Sequence, residues 1–405
     1  MRKPLSPLQA FAEDARIAAE RAVDFGHDMV TWLSVAQTAD QISALSGSGR
    51  DDALRDAGAR LGPLATERPS MVHDGNPAPT SVVGQVAEQF RVAAESMEKA
   101  GCFELAYTTV AAVCRLTARA DYVSAGLATV HLGRIAREMN DLSTAEDCYS
   151  AMLSKSMRER DGPLAARGHI GLALLHDMRG NLPAAEAGYL RALELAVPMG
   201  ATCVLACQGL MSLAMSGNHL ADALLYGWKL YDASEHDSET RAFALTDLAG
   251  VALKAGFVDA ALRGFEHVIN ILHVPRVRMI AHAGALRALA RSGNRSRAIQ
   301  FDEAMLDDIA HANQPHTAAM VLLTAAEAWA EIGIGSRARL RLAESRRLSL
   351  KFGYNQYVFR ADAILDKWNG ASTAQAPIAK PTQLQSASRD PLVAVGIGRL
   401  EALSV

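Results

Sequence analysis

Thiols, imidazoles and guanidinium groups are the side chains of this 405-residue sequence from which chemistry could be built. Cys203 and Cys207 lie one helical turn apart, a separation that suits a metal ligand pair, but no third thiol or close histidine completes a set. The five cysteines (Cys102, Cys114, Cys148, Cys203 and Cys207) are odd in number and follow no disulfide-framework spacing, so free, buried thiols in a reducing compartment are expected. Histidines are scattered: His169, His176, His267, His273 and His282 share no metal-binding interval, and no His-Glu-x-x-His occurs. Ser46-Gly47-Ser48-Gly49-Arg50 is glycine-rich but lacks the Gly-Lys-Ser/Thr ending of a phosphate loop. No metal, no cofactor and no catalytic constellation is expected, and the sequence reads as a non-enzyme.

The arginines offer binding rather than catalysis. A guanidinium fork pairs bidentately with a carboxylate, so Arg134, Arg137 and Arg167 can hold the acidic side chains of an extended peptide. They can equally be solvated and paired with neighbours such as Glu138. A second basic run, Arg337, Arg339, Arg341, Arg346, Arg347 and Lys351, has no interleaved aromatics on which bases would stack. It reads as a solvated face, with an acidic protein partner as the next reading, and nucleic acid is not expected. Charge is unevenly divided. Residues 1–270 carry 24 Lys+Arg against 33 Asp+Glu, a net of −9, and residues 271–370 carry 14 against 9, a net of +5.

What must position these groups is helical. Half the residues are apolar and only 5% are aromatic, a bias toward alanine and leucine that favours closely packed helices over strands. A short phrase recurs: a turn of small residues, then an alanine opening a second apolar helix. It leads to Ala106, Ala145, Ala185, Ala223, Ala261, Ala298 and Ala338, at intervals of 39, 40, 38, 38, 37 and 40 residues. Glycine or asparagine at the turn ends the first helix in the left-handed conformation that other residues avoid. The alanine lets the second helix approach the first closely. One hairpin cannot bury its apolar face alone, whereas stacked hairpins can.

These units resemble tetratricopeptide repeats of the longer, roughly 40-residue bacterial kind. The segment Ala166–Met199 carries the resemblance best, through Leu172-Ala173, Gly180-Asn181-Leu182, Ala185, Tyr189, Ala192 and Pro198. Segments Gly126–Met157 and Ala242–Pro275 follow through Tyr149 and Phe265 in the aromatic slot. Around Ala223 that slot holds Gly227 between Tyr226 and Trp228, and the last two units place Asp302 and Leu342 there. The resemblance implies an all-α, right-handed α-solenoid of about seven hairpins, with first helices lining a concave groove. Carried onto this chain, the groove slots include Arg91, Arg134, Arg137, Arg167, Arg287 and Arg291. The lysine and asparagine set of the family's chaperone-tail clamp is missing.

The organisation expected is an N-terminal helical cap over residues 1–62, a proline-bearing linker over 63–80, the repeat array over 81–368, a second linker over 369–391 and a short apolar segment over 392–405. In that last segment Leu392, Val393, Val395, Ile397, Leu400 and Leu403 are expected to form a helix that docks on an apolar surface of this molecule or another, a route to self-association. With no secretory signal and no apolar run of membrane-spanning length, cytoplasmic residence and no membrane partner are expected. The function expected is an adaptor or scaffold that binds a protein or an extended, acidic peptide. The alternative is a ligand- or peptide-sensing module acting on a separate effector chain. Replacing the crossing residue Ala185 with Leu is expected to cost about 1–3 kcal/mol through overpacking, read as a lowered melting midpoint; an unchanged midpoint would place the repeat in another register.

Overall fold

Helix follows helix throughout this protein. The computed structural model describes residues 2–20, 28–45, 52–59, 81–100, 102–118, 122–198, 200–235, 237–272, 274–311, 314–352, 354–370 and 390–403. The linker at 63–80, nearly all of that at 369–391 and the segment Ser46–Arg50 lie outside them. Among the described residues there is no strand, and no helix is long and apolar enough to cross a membrane.

Three helices come first: α1 (Pro7–Glu20), α2 (Asp28–Ala44) and α3 (52–59). Then come the pairs α4 (Val82–Ala100) with α5 (Phe103–Thr117), α6 (Tyr122–Glu138) with α7 (Leu142–Glu159) and α8 (Gly162–Met178) with α9 (Leu182–Leu195). They continue as α10 (Ala201–Ser216) with α11 (Leu220–Ala233), α12 (Ser238–Lys254) with α13 (Val258–Ile271), α14 (Pro275–Ser292) with α15 (Arg295–His311) and α16 (Pro315–Ile332) with α17 (Gly335–Phe352). α18 (Asn355–Gly370) and α19 (Pro391–Leu403) close the chain. The helices form two compact units, Met1–Gly209 and Leu210–Val405, whose boundary falls inside α10. From α4 to α9 in the first unit, and from α11 to α18 in the second, each helix packs on its neighbours in sequence order. First helices also pack on one another: α4 on α6 and α6 on α8 in one unit, α12 on α14, α14 on α16 and α16 on α18 in the other.

The turns inside the pairs share one local solution. Asn140, Gly180, Asn218, Gly256, Gly293 and Gly333 all have positive φ, between 61° and 91°. In each, the next residue's N–H donates back to a carbonyl five residues earlier: Asp141 to Ala136, Asn181 to His176, His219 to Ala214, Phe257 to Ala252, Asn294 to Leu289 and Ile334 to Trp329, at 2.8–3.1 Å. This bonding satisfies carbonyls that the helix end would leave bare. In the phrase Ser216-Gly217-Asn218, it is the asparagine that takes the left-handed position.

Past each turn, the alanine at the crossing is sealed: Ala106, Ala145, Ala185, Ala223, Ala261, Ala298 and Ala338 are all buried. Between successive pairs, an aromatic side chain from a second helix presses on a glycine of the following first helix. A Cβ at Gly171 would lie 2.3 Å from Tyr149, at Gly209 2.4 Å from Tyr189 and at Gly284 2.4 Å from Phe265. Where Gly227 replaces the aromatic, the relation inverts and Leu248 of α12 fills the space above it, 2.7 Å from the missing Cβ.

The N-terminal helices are tied into the first unit. α1 and α2 pack on α5. Buried Asp14 of α1 accepts the N–H groups of Glu104 (3.2 Å) and Leu105 (2.9 Å), capping a helix whose own N-cap residue, Cys102, makes no side-chain cap bond. Burial pushes the Asp14 carboxyl up to about 7, against the pull of those two amides. Upstream, the Arg2 side chain bonds Glu104 at 2.6 Å and its amide donates to Thr144 Oγ1 at 2.7 Å.

Two glycine substitutions should separate packing from propensity. Gly171→Ala drives a methyl into the Tyr149 ring and is expected to cost about 1–3 kcal/mol. Gly250→Ala, where a Cβ meets nothing within 4 Å, is expected to gain about 0.5–1 kcal/mol from helix propensity. Urea-denaturation midpoints should therefore shift in opposite directions; a shared direction would contradict the aromatic-on-glycine contact.

Candidate functional site

The arginines selected from the sequence lie on first helices of the two units, and the structure gives them different employment. In the first unit, Arg91 of α4 is held between Glu88, at 2.8 and 2.9 Å, and Glu95, at 2.6 Å. Burial opposes its charge, and the two carboxylates more than offset that, holding the guanidinium above its ordinary range. Arg134 of α6 is half-exposed and donates to Glu98 at 2.9 Å. Arg137 pairs with its neighbour Glu138. Both Arg134 and Arg137 act on the Tyr149 phenol, which burial nonetheless pushes up to about 12. Arg167 is half-buried on α8.

A buried imidazole sits beneath this group. His131 lies one turn before Arg134, and its Nε2 is 2.5 Å from Glu98 Oε1, while its Nδ1 is buried without a hydrogen-bond partner. Burial holds the ring below its ordinary range and so neutral at neutral pH. The second unit repeats the theme. His282 of α14 lies 3.0 Å from Asp308 of α15 without an aligned hydrogen bond, and Arg278, one turn earlier, reaches the same carboxylate at 3.3 Å. Here too burial depresses the ring. The sequence reading passed over both clusters. Their signal, a histidine and an arginine three or four residues apart on a first helix, acquires meaning only when a carboxylate from another helix arrives.

In the second unit, cations reach across to the helix before them. Lys254, ending α12, donates to the Met215 carbonyl at 2.6 Å, and Arg291, near the end of α14, donates to the Leu253 carbonyl at 2.5 Å. Each satisfies a carbonyl at the C-terminal end of the preceding first helix, where the helix dipole favours positive charge. Arg287 sits one turn before Arg291. Burial and the Arg287 charge together pull Arg291 below its ordinary range. Arg287 itself makes no ion pair with any described residue, and its Nε is buried without a hydrogen-bond partner.

The basic run of α17 is largely spoken for. Arg341 makes two bonds to Asp302, at 2.9 and 3.1 Å, and Arg337 adds a third at 3.3 Å. Asp302, occupying the slot where an aromatic stands in other repeats, is fully buried, and the Arg341 side chain is 7% exposed. Arg337 also lies over the Trp329 ring, and Arg346 pairs with Asp362 of α18 at 2.6 Å.

None of the five thiols is in a disulfide, and burial pushes Cys102, Cys114 and Cys148 each up to about 12, far from nucleophilic range. Among the described residues no group of three His, Cys, Asp or Glu side chains converges as a metal site. Of the C-terminal residues, Val393, Ile397 and Leu400 are 1% exposed against α11, α12 and α13, whereas Leu392 and Val395 point outward, 68% and 73% exposed. Leu403 is half-buried.

Comparison with models of protein families and with curated proteins yields no match to this chain.

Removing one partner of the buried pair isolates its electrostatics. Asp302→Ala leaves the buried Arg341 guanidinium with Glu344, 3.0 Å away, as its remaining partner and is expected to cost about 3–5 kcal/mol, whereas replacing Asp302 with Phe and Arg341 with Met together is expected to be close to neutral. Melting curves of the single and double variants measure the difference. Equal losses would show that the slot needs shape alone.

Proposed function

We propose that this protein is a non-catalytic binding scaffold of the tetratricopeptide type, about seven hairpins in a right-handed array, whose first-helix face takes a protein segment or extended peptide bearing carboxylates. The observation that carries this reading is the pair Arg287 and Arg291. Two guanidinium groups are set one turn apart in a partly desolvated place. One is spent on a backbone carbonyl and the other has no anionic partner among the described residues. Like charges brought together cost free energy that an arriving anion recovers. In the corresponding slot of the preceding repeat stands Gly250, with open space in place of a side chain. A peptide carboxylate laid across α12 and α14 finds both room and charge there.

In the first unit Arg134 and Arg137 supply the same chemistry at the surface, each already sharing a glutamate that an incoming carboxylate would compete for. Binding distributed over several repeats, with a few anchors supplying most of the free energy, suits such a face.

The test is differential capture from native lysate. Wild-type protein is expected to retain a partner whose retention falls with rising salt. Arg287→Glu combined with Arg134→Glu is expected to weaken retention at least tenfold and to flatten the salt dependence, with the melting midpoint preserved. Retention unaltered by the double reversal would move recognition off the first helices.

A further inference from the structure

The second helices carry an interface of their own. α19 lies across α11 and α13 and touches α12 between them, burying Val393, Ile397 and Leu400. The fit is specific in shape. Gly396 rides on Leu224 so closely that a Cβ there would come within 3.0 Å of the leucine side chain, and Leu400 packs against Gly264, 3.3 Å from where its Cβ would be. It is also specific in polarity. The indole N–H of Trp228 donates to the Gly396 carbonyl at 3.0 Å, an unusual acceptor because mid-helix carbonyls are already engaged. The Arg399 guanidinium lies over the Trp228 ring, 4.2 Å from its centroid, and reaches Asp232 at 2.5 Å; on the far side Arg263 pairs with Glu401 at 2.8 Å.

Yet α19 is built to hold loosely. Gly398 sits in mid-helix with nothing within 4 Å of where a Cβ would be, so packing does not require a glycine there and the helix loses propensity for no gain in fit. All the ion pairs are at the exposed rim, where each contributes little. Two large aliphatics, Leu392 and Val395, face away from the surface. A weak helix on a well-shaped surface, joined to it by its own chain, is the arrangement of a tethered competitor. Because occupant and surface belong to one chain, a weak intrinsic fit suffices to occupy the surface until something fitting better arrives.

We propose that the α11–α13 surface is a second recognition site, independent of the first-helix face, that binds an amphipathic helix of an external protein partner, with α19 as its resident occupant. The partner helix would repeat the pattern that α19 presents: aliphatic side chains at its first, fifth and eighth positions, a glycine at the fourth and an arginine at the seventh, as Val393, Ile397, Leu400, Gly396 and Arg399 do here. The arginine meets Asp232 and Trp228; the glycine admits Leu224.

The test uses the full chain and a fluorescent synthetic peptide of residues 390–403 as the probe. Ile397→Asp ejects α19 from the surface, and this variant is expected to bind the peptide at least tenfold more tightly than the wild type, whose surface is occupied. Adding Leu224→Asp to that variant should abolish the gain. In the otherwise native chain, Gly398→Ala strengthens α19 and is expected to reduce peptide binding about two- to fivefold; because this substitution meets open space, it also serves if Ile397→Asp compromises folding. Equal binding to wild type and to both tail variants, or no binding to any, overturns the proposal. A wild-type dimer that Ile397→Asp dissolves would instead assign the surface to the tail of a second copy and overturn the external partner.

Discussion

Everything in this protein rests on how closely one helix can approach the next. Alanine at each crossing and glycine beneath each intruding aromatic remove the Cβ volume that would hold the helices apart. Tyr149 on Gly171, Tyr189 on Gly209 and Phe265 on Gly284 are the same contact made between successive pairs. An isolated pair has no such neighbour and would leave its aromatic in water, so each hairpin is stable through the next one. The left-handed turn residues serve that constraint by returning the chain within three or four residues, with the helix-end carbonyls bonded.

Where the aromatic contact lapses, the substitutes show what it supplies. At Gly227 the space is taken by Leu248 from the opposite direction, and the aromatic volume is displaced to Trp228, which then becomes the anchor for α19. At Asp302 the slot is filled by charge, with Arg341 arriving from the next hairpin to neutralise it. A fully buried carboxylate with two guanidinium partners contributes less to net stability than good apolar packing would, but it penalises any register that separates the partners. Each departure from the repeat thus creates a contact that the regular repeats do not have.

Charge on the first helices is used in two ways, and the difference follows from what lies within reach. Lys254 and Arg291 find carbonyls at the preceding helix end; Arg91, Arg134 and Arg137 find glutamates. Arg287 finds neither among the described residues. Lys254, Arg291 and Arg134 tie neighbouring hairpins together, whereas Arg91 and Arg137 pair within their own helices. The flanking helices follow a similar logic on the second helices: Asp14 of α1 caps α5, and α19 covers α11 and α13.

Periodicity alone determined much of this. The seven alanines at intervals of 37 to 40 residues, and a glycine or asparagine before each, mark helix, turn and crossing directly, because a left-handed residue and a missing side chain are requirements of local geometry. The apolar character of Leu392 to Leu403 marked a docking C-terminal helix, but only folding decided that Val393, Ile397 and Leu400 face the protein while Leu392 and Val395 do not: a 3.6-residue period gives a stripe, and the receiving surface selects which stripe. The partners of charge were not legible. Arg134 and Arg137 read equally as open to a ligand or paired with a neighbour such as Glu138, and Glu138 was found beside Arg137, but the Glu98 beside Arg134 came from another helix; the basic run of α17 read as a solvated face, and Asp302 was found inside it. His131 with Glu98 and His282 with Asp308 left no trace, since their members are 33 and 26 residues apart. Local backbone rules act over a few residues and are written in residue types, whereas pairing of charges depends on which turns of distant helices come level, and that is settled by tertiary packing.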